Sequence, residues 1–181
     1  MRAQILCFLT IFTITWYTNT HAHTLQTMNY HTYPSPQNIP LPHDKKIVLV
    51  GGCFDILHFG HIQFLQKARE CSDYVVVALE PDARIAQHKN RIPTHTQMER
   101  AYNLLALRSV DHVILLPLLH GFDDYLELVK TINPDVIAVT AGDPQLANKQ
   151  KHADSIGAKL VEVTTMIGSF SSSTIYQKHK D

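Results

Sequence analysis

The residues whose types and spacing could do chemistry are concentrated in one stretch, Gly51-Gly52-Cys53-Phe54-Asp55-Ile56-Leu57-His58-Phe59-Gly60-His61. An apolar run at residues 47–50 precedes it and an amphipathic run at residues 62–71 follows it, which predicts a strand, a turn and a helix. Such a turn brings backbone N–H groups and the positive end of a helix dipole to one point. The stretch therefore predicts a site for an anion, above all a phosphate.

Two histidines give this stretch its chemical character. His58 and His61 are three positions apart, so at the start of a helix they project to the same side. Gly60 between them leaves room for a phosphate to approach the backbone, and neutral imidazoles can donate hydrogen bonds to its oxygens. Asp55 is placed to orient either the turn or a ligand group. The alternative is a pair of surface histidines, which the whole string after a buried strand disfavours.

Composition limits the classes of partner. The 181 residues suit one domain, or one domain plus an extension. The 16 basic and 16 acidic residues cancel, so no basic excess favours a nucleic acid or an anionic membrane surface. The three cysteines form no CxxC pair. Four of the 12 histidines, His21, His23, His31 and His43, lie in the N-terminal extension, where a metal-binding tract is the alternative, but their spacing matches no ligand template. Free thiols and no dedicated metal site are therefore expected.

The first 22 residues resemble a secretory signal peptide. Met1-Arg2 gives a short positive start, residues 5–17 are mostly apolar, and residues 20–22 offer a small-residue cleavage site. The apolar run is short for a transmembrane helix. The alternative is that translation begins at Met28 and the leader is dispensable.

Residues 23–45 are polar and proline-containing, which predicts a flexible or extended lead-in because proline disfavours helices and central strands. The regular pattern of residues 46–181 predicts the folded domain.

Within that domain, continuous apolar runs alternate with helical segments. Strands are predicted at residues 47–50, 74–79, 112–116, 136–139 and 160–163, and helices at 62–71, 82–87, from Thr96 onwards, 123–132, 144–156 and 171–178. Fully apolar strands alternating with helices indicate an α/β, Rossmann-like, doubly wound five-stranded parallel sheet with helices on both faces. Ligands of such sheets bind at the carboxyl ends of the strands, at the topological switch point, which is where the histidine stretch follows the first strand.

The histidine stretch fits the pattern G-x-F-D-x-x-H-x-G-H and resembles the signature of the cytidylyltransferase-like nucleotidyltransferase superfamily. The resemblance covers roughly residues 46–178 and looks closest to the branch of heptose-phosphate adenylyltransferases and glycerol-3-phosphate cytidylyltransferases. It implies transfer of a nucleoside monophosphate from ATP or CTP to a phosphorylated sugar or polyol, with release of pyrophosphate. It leaves the choice between ATP and CTP, and the acceptor itself, open.

The resemblance also implies roles for particular residues. Ser171-Ser172-Ser173-Thr174-Ile175 resembles the family's second motif, which opens the C-terminal helix; the alternative is a simple serine-rich N-cap. His58 and His61 would contact the α- and β-phosphates, and Arg100 with this serine motif would hold the β- and γ-phosphates, so these two histidines and Arg100 are the expected catalytic residues. Asp82 and Arg91 would bind the acceptor substrate. The residues expected to bind the nucleotide are Gly52, Cys53, Phe54, Asp55, His58, Gly60, His61, Lys89, Asp143, Ser171, Ser172 and Ser173.

Three segments depart from the family pattern. Thr140-Ala141-Gly142-Asp143 lacks a lysine that relatives often carry before Gly-Asp, and Met166-Ile167-Gly168-Ser169 stands where they carry Arg-Thr-x-Gly. Glu80-Pro81-Asp82 replaces Asn-Ser-Asp. The alternative functions are therefore a nucleotide-binding pseudoenzyme or regulatory module of the same fold, and an exported α/β domain with another role if the leader is genuine.

The expected cofactor is Mg²⁺ carried by the nucleoside triphosphate, with few protein ligands. The expected partners are that nucleotide and a phosphorylated acceptor, with no nucleic acid and no stable membrane insertion, and a homodimer is compatible with the pattern. A cytoplasmic location is expected because the substrates are cytoplasmic and Cys53 is a thiol within the motif.

Overall fold

The computed structural model describes residues 29–35 and 39–165, with the side chain of Lys89 outside the description. Within these ranges the chain forms six strands and five helices. The strands are β1 (Tyr30–Thr32), β2 (Ile47–Gly52), β3 (Tyr74–Leu79), β4 (His112–Leu115), β5 (Val136–Thr140) and β6 (Lys159–Thr164). The helices are α1 (Phe59–Glu70), α2 (Asp82–Lys89), α3 (Gln97–Leu105), α4 (Gly121–Ile132) and α5 (Leu146–Ile156).

The strands form one parallel sheet in the order β1-β4-β3-β2-β5-β6. From β2 the chain first moves outward through β3 to β4, then returns to the other side of β2 as β5. The direction of winding therefore reverses between β2 and β5, which makes the gap at their carboxyl ends the topological switch point. The predicted fold class is confirmed, and the histidine stretch follows β2 at this point.

The sheet has six strands, not the five predicted. The additional strand, β1, lies inside the segment 23–45 that proline content marked as a lead-in. Tyr30–Thr32 ends before the first proline of that segment, Pro34, so every residue of β1 keeps its N–H group for the ladder with β4. Three proline-free residues are enough for an edge strand.

The core consists of two apolar layers, one on each face of the sheet. Val48 and Val50 of β2 point into the layer that contains Leu65 of α1, whereas Ile47 and Leu49 point into the opposite one. Successive side chains of a strand face opposite sides, so both sets can be buried only if helices cover both faces. Burying one such side chain contributes roughly 1.5–3 kcal/mol.

Several local signals produce the predicted boundaries. Thr96 caps α3 in a complete capping box with Glu99, and α5 ends at Gly157, whose φ of 72° is the left-handed conformation that glycine tolerates. Helix α1 begins at Phe59, three residues earlier than the apolar periodicity indicated. The helix predicted at residues 171–178 lies outside the described residues.

In the described ranges, none of the helices has the length and apolar character needed to span a membrane.

Candidate active site

The loop after β2 makes a tight turn around Gly52 and Phe54. Phe54 has a φ of 46°, a left-handed conformation that is uncommon for a bulky residue, and its side chain is buried. A Cβ atom added at Gly52 would lie 3.0 Å from Cε2 of the Phe54 ring. A larger residue at position 52 would therefore crowd the Phe54 ring in its present position.

The two histidines face the same side of the first turn of α1, as their spacing predicted. The ring centroids of His58 and His61 are 3.8 Å apart with the planes inclined by 24°, and the Phe54 ring lies 5.1 Å from that of His61. His58 is the N-cap residue of α1, yet its side chain makes no capping bond to the helix. Both imidazoles therefore stand at the positive end of the helix dipole, where an anion is stabilised.

Asp55 anchors the loop between α2 and α3. Its side chain is buried, and Oδ1 accepts hydrogen bonds from the backbone N–H groups of Thr94 at 2.8 Å and His95 at 3.3 Å. Oδ2 lies 2.5 Å from Nη2 of Arg91, whose side chain is only 10% exposed. Of the two uses predicted for Asp55, these contacts favour orientation of a turn over direct contact with a ligand.

Arg100 is the centre of a second set of contacts. Its side chain has no exposed surface. Nη1 donates to the carbonyl of Cys53, Nε to the carbonyl of His95 at 3.2 Å, and Nη2 to Oδ1 of Asp82 at 2.6 Å. All three nitrogens of the guanidinium are thus used to join the loop after β2 to α2 and to the start of α3. This arrangement favours a positioning role over the direct phosphate contact predicted for Arg100.

The side chain of Gln97 joins the carboxyl ends of β3 and β4, and it was not among the predicted site residues. Gln97 Nε2 donates to the carbonyls of Leu79 at 2.9 Å and Leu116 at 2.8 Å. Such contacts join residues distant in sequence, so no local signal predicts them.

A separate network surrounds Glu80 directly after β3. Glu80 accepts hydrogen bonds from Tyr125 Oη at 2.6 Å and from Arg84 Nε at 3.3 Å, and Arg84 also donates to the carbonyl of Leu119. Burial, reinforced by the Glu80 carboxylate, raises the pKa of Tyr125, so the phenol keeps its proton and donates. The i,i+4 spacing of Glu80 and Arg84 was the signal that could have revealed part of this network.

The end of β5 forms the opposite side of the switch point. Val48 of β2 pairs with Val136 and Leu49 with Ile137, and β5 ends at Thr140. After Thr140 the chain turns through Gly142, which has a φ of 76°. Asp143 then accepts a hydrogen bond from the N–H of Gln145 at 2.7 Å.

A lysine of α5 reaches back to this turn. Nζ of Lys149 lies 2.6 Å from Oδ2 of Asp143, and the two side chains are 29% and 17% exposed. Lys149 was not predicted as a site residue.

The fold therefore gathers most of the predicted residues around the switch point. The predicted residues at the end of β2, in the loop after it and at the start of α1 are Gly52, Cys53, Phe54, Asp55, His58, Gly60 and His61. Arg91 and Arg100 are joined to that loop, Asp82 is joined to Arg100, and Asp143 lies three residues after the end of β5. Lys89 is the last residue of α2, and its side chain lies outside the described part of the chain. Ser171, Ser172 and Ser173, like the departure at 166–169, lie outside the described residues.

Among residues 29–35 and 39–165, no group of three or more histidine, cysteine, aspartate or glutamate side chains is arranged to hold a metal ion. The predicted Mg²⁺ is carried by the nucleotide, so its presence stays a prediction. A cavity of about 780 Å³ is lined in part by Tyr33, Ile47 and Asp135 and by none of the predicted site residues.

Comparison with known proteins places the chain in a family. Residues 49–176 match the family model described as cytidylyltransferase-like. The protein named bifunctional protein HldE of Wolinella succinogenes is 38% identical over 126 residues, which cover 68% of this chain and 24% of that protein. The HldE protein of Campylobacter jejuni subsp. doylei is 36% identical over 142 residues, which cover 76% of this chain and 28% of that protein. The alignments thus span about a quarter of these relatives' length.

Solved structures agree with this assignment. The lipopolysaccharide core biosynthesis protein from Thermoplasma volcanium is similar with a TM-score of 0.54 and 27% identity, over 67% of this chain and 96% of that one. Pantothenate synthetase from Thermus thermophilus shares the fold alone. It is 17% identical with a TM-score of 0.62, over 82% of this chain and 67% of that one. The superfamily and branch predicted from the motif are confirmed. With its histidine motif on the first turn of α1 and residues 49–176 matched by the family model, the chain belongs to the cytidylyltransferase-like family.

Proposed function

We propose that this protein is a nucleotidyltransferase that transfers a nucleoside monophosphate from ATP or CTP to a phosphorylated sugar or polyol. The observation that carries the proposal is the stacked pair His58 and His61 on the first turn of α1, directly after the strand at the switch point. Family membership supports the reaction type, and the similarity to the lipopolysaccharide core biosynthesis protein from Thermoplasma volcanium favours a sugar-derived acceptor.

In the proposed reaction, an oxygen of the acceptor phosphate attacks the α-phosphorus of the nucleotide. The bond from the α-phosphorus to the bridging oxygen breaks, and pyrophosphate leaves with the bonding electrons. A phosphate monoester is already a nucleophile near neutral pH, so the reaction requires no general base. Catalysis then consists of holding the two substrates in line and stabilising negative charge that develops around the α-phosphorus.

In this proposal some residues contact the phosphates and others hold the loops in position. His58 and His61 donate hydrogen bonds to the α- and β-phosphate oxygens, and these bonds strengthen in the transition state. The backbone N–H groups that open α1 provide further donors. Asp55 and Arg100 act behind these residues, because they join the loop after β2 to its neighbours. The triphosphate would carry Mg²⁺, which would supply charge neutralisation on the leaving pyrophosphate; the described residues contain no cluster of three or more potential ligands of their own for it.

The partners are therefore a nucleoside triphosphate and a phosphorylated small molecule, and the proposed location is the cytoplasm, where both are found. The balanced charge of 16 basic and 16 acidic residues agrees with a small anionic ligand in place of a nucleic acid.

The proposal is tested by pyrophosphate release with each of the four nucleoside triphosphates, crossed with a panel of phosphorylated sugars and polyols. His61→Ala is expected to lower the rate about 10²–10³-fold, the usual effect of losing one donor to transition-state charge. His120→Ala changes an exposed histidine on the loop before α4 and is expected to leave the rate unchanged. Near-normal pyrophosphate release by His61→Ala would overturn the assignment.

A second function, nucleotide binding without turnover, is favoured by the engagement of Arg91 and Arg100 in protein contacts. A protein of this kind would gain thermal stability with a nucleoside triphosphate but release no pyrophosphate with any acceptor of the panel. Pyrophosphate release that depends on His61 excludes it.

A further inference from the structure

The ion pair between Lys149 and Asp143 stands at the carboxyl edge of the sheet, on the side of the switch point opposite the histidines. Strand β5 lies beside β2 on the side away from β3 and ends at Thr140, and Asp143 follows three residues later. Lys149 lies on the following helix and its ammonium returns to within 2.6 Å of the Asp143 carboxylate. A positive charge is thereby held just beyond the end of β5, the strand that borders β2 at the switch point.

The other described cations of this edge are differently placed. Arg100 has no exposed surface and uses all three of its nitrogens on protein oxygens. Arg91 is 10% exposed and paired with the buried Asp55. Arg84 is 19% exposed and bound to Glu80, Tyr125 and the carbonyl of Leu119. These guanidinium groups support the loops, and moving any of them would leave a buried carboxylate or carbonyl without its donor.

Lys149 differs in both exposure and donor count. Its side chain is 29% exposed, and an ammonium has three N–H donors of which the contact with Asp143 uses one. The flexible four-carbon stem lets the charge move without backbone change. A triphosphate brings several negative charges to the same edge and therefore competes effectively with one partly exposed carboxylate for this ammonium.

We propose that Lys149 is a phosphate-binding residue of the nucleotide site, held by Asp143 until the nucleotide arrives. This inference rests on the proposed function, because it assumes that a triphosphate occupies the switch point. On binding, the Lys149 ammonium turns to the phosphate oxygens, and the Asp143 carboxylate is released to accept a hydrogen bond from a hydroxyl or amino group of the nucleotide. In the absence of nucleotide, the Asp143 carboxylate therefore keeps the Lys149 ammonium at the site as part of an ion pair.

The test is calorimetric binding of three probes in excess magnesium: ATP or CTP, inorganic tripolyphosphate, and the matching nucleoside without phosphate. Lys149→Met keeps the stem but removes the charge, and is expected to weaken binding of the triphosphate and of tripolyphosphate about ten- to a hundredfold, the usual loss for a charge-assisted hydrogen bond. Nucleoside affinity is expected to stay within twofold. Lys151→Met, an exposed lysine of the same helix, is the matched control and is expected to bind all three probes as the unchanged protein does.

Two further variants separate a phosphate contact from a structural role. Lys149→Arg keeps the charge and is expected to retain most of the affinity for tripolyphosphate. The double variant Thr140→Lys with Lys149→Met moves the ammonium to the last residue of β5 and is expected to recover at least part of the lost affinity.

The binding measurements distinguish failure of the Lys149 phosphate contact from failure of the proposed function. Equal tripolyphosphate binding by Lys149→Met and the unchanged protein overturns this inference and leaves the proposed function standing. A parallel loss of nucleoside affinity also overturns it, because the lysine would then only support the turn at Asp143. If the unchanged protein binds neither triphosphate nor tripolyphosphate, the proposed function fails, and the inference fails with it.

Discussion

Acidification is expected to destabilise the fold through His112, the first residue of β4. His112 is 1% exposed, and its Nε2 lies 3.0 Å from Nδ1 of His31 on β1, with the two rings 4.9 Å apart. Burial, reinforced by the neighbouring His31, lowers the pKa of His112 from 6.5 to about 4. The other titratable groups nearby are Tyr74, whose ring lies 6.5 Å away, and Asp111, which is held by Arg69.

The size of the effect follows from that pKa. Below pH 6.5 the unfolded chain takes up a proton on His112 that the folded protein binds only near pH 4, so the folded state loses stability as the pH falls between these values. Each unit of pKa difference is worth 1.36 kcal/mol, which makes the full loss about 3 kcal/mol, most of it incurred by pH 4.5. Above pH 6.5 the contribution of His112 is complete and does not change.

The measurement is the free energy of unfolding in urea at pH 7.5 and at pH 4.5, for the unchanged protein and for His112→Gln. Glutamine can still hydrogen-bond to His31 but does not titrate, so the variant should lose about 2–3 kcal/mol less on acidification. His120→Gln, at an exposed histidine, should lose as much as the unchanged protein. Equal losses in His112→Gln and the unchanged protein would refute the reasoning.

Three other substitutions test the site and its supports. Gly52→Ala should destabilise the fold by about 1–3 kcal/mol, because the new methyl group would lie 3.0 Å from the buried Phe54 ring; an unchanged urea midpoint would show that the ring can move aside. Arg100→Lys keeps the charge but loses the planar guanidinium, so the rate of pyrophosphate release should fall about a hundredfold with little change in nucleotide affinity. A selective loss of nucleotide affinity in that variant would instead indicate a direct phosphate contact. Thr96→Ala removes the capping box with Glu99 and should cost about 1 kcal/mol in urea unfolding at constant specific activity, and undiminished stability would contradict the contribution assigned to the cap.

The strands that could be predicted are those that appear in the sequence as a continuous run of apolar residues. The continuous apolar run Tyr74–Leu79 is buried on both faces, and it is predicted and observed with the same bounds. Strand β1 carries no such signal, because its three residues depend on a partner strand far along the chain. Pairing over such a distance cannot be read from local periodicity.

The same distinction applies to the candidate site. His58 and His61 were predictable as a pair because a helix turn fixes their relation within four residues. Arg91 and Arg100 were recognised as charges, but their burial results from contacts with Asp55 and the carbonyl of Cys53, which come from another part of the chain. The pairing of Lys149 with the end of β5 likewise depends on how the chain reverses before α5.

The position of β1 has a consequence for the order in which the molecule folds. His31 and His112 are in contact although 81 positions separate them in the chain. Because loop-closure entropy opposes such distant pairing, β1 can join the sheet only after β4 has been made and placed. Of the strands that the structure describes, β1 is thus synthesised first, and its backbone N–H and C=O groups have no ladder partner until β4 is in place.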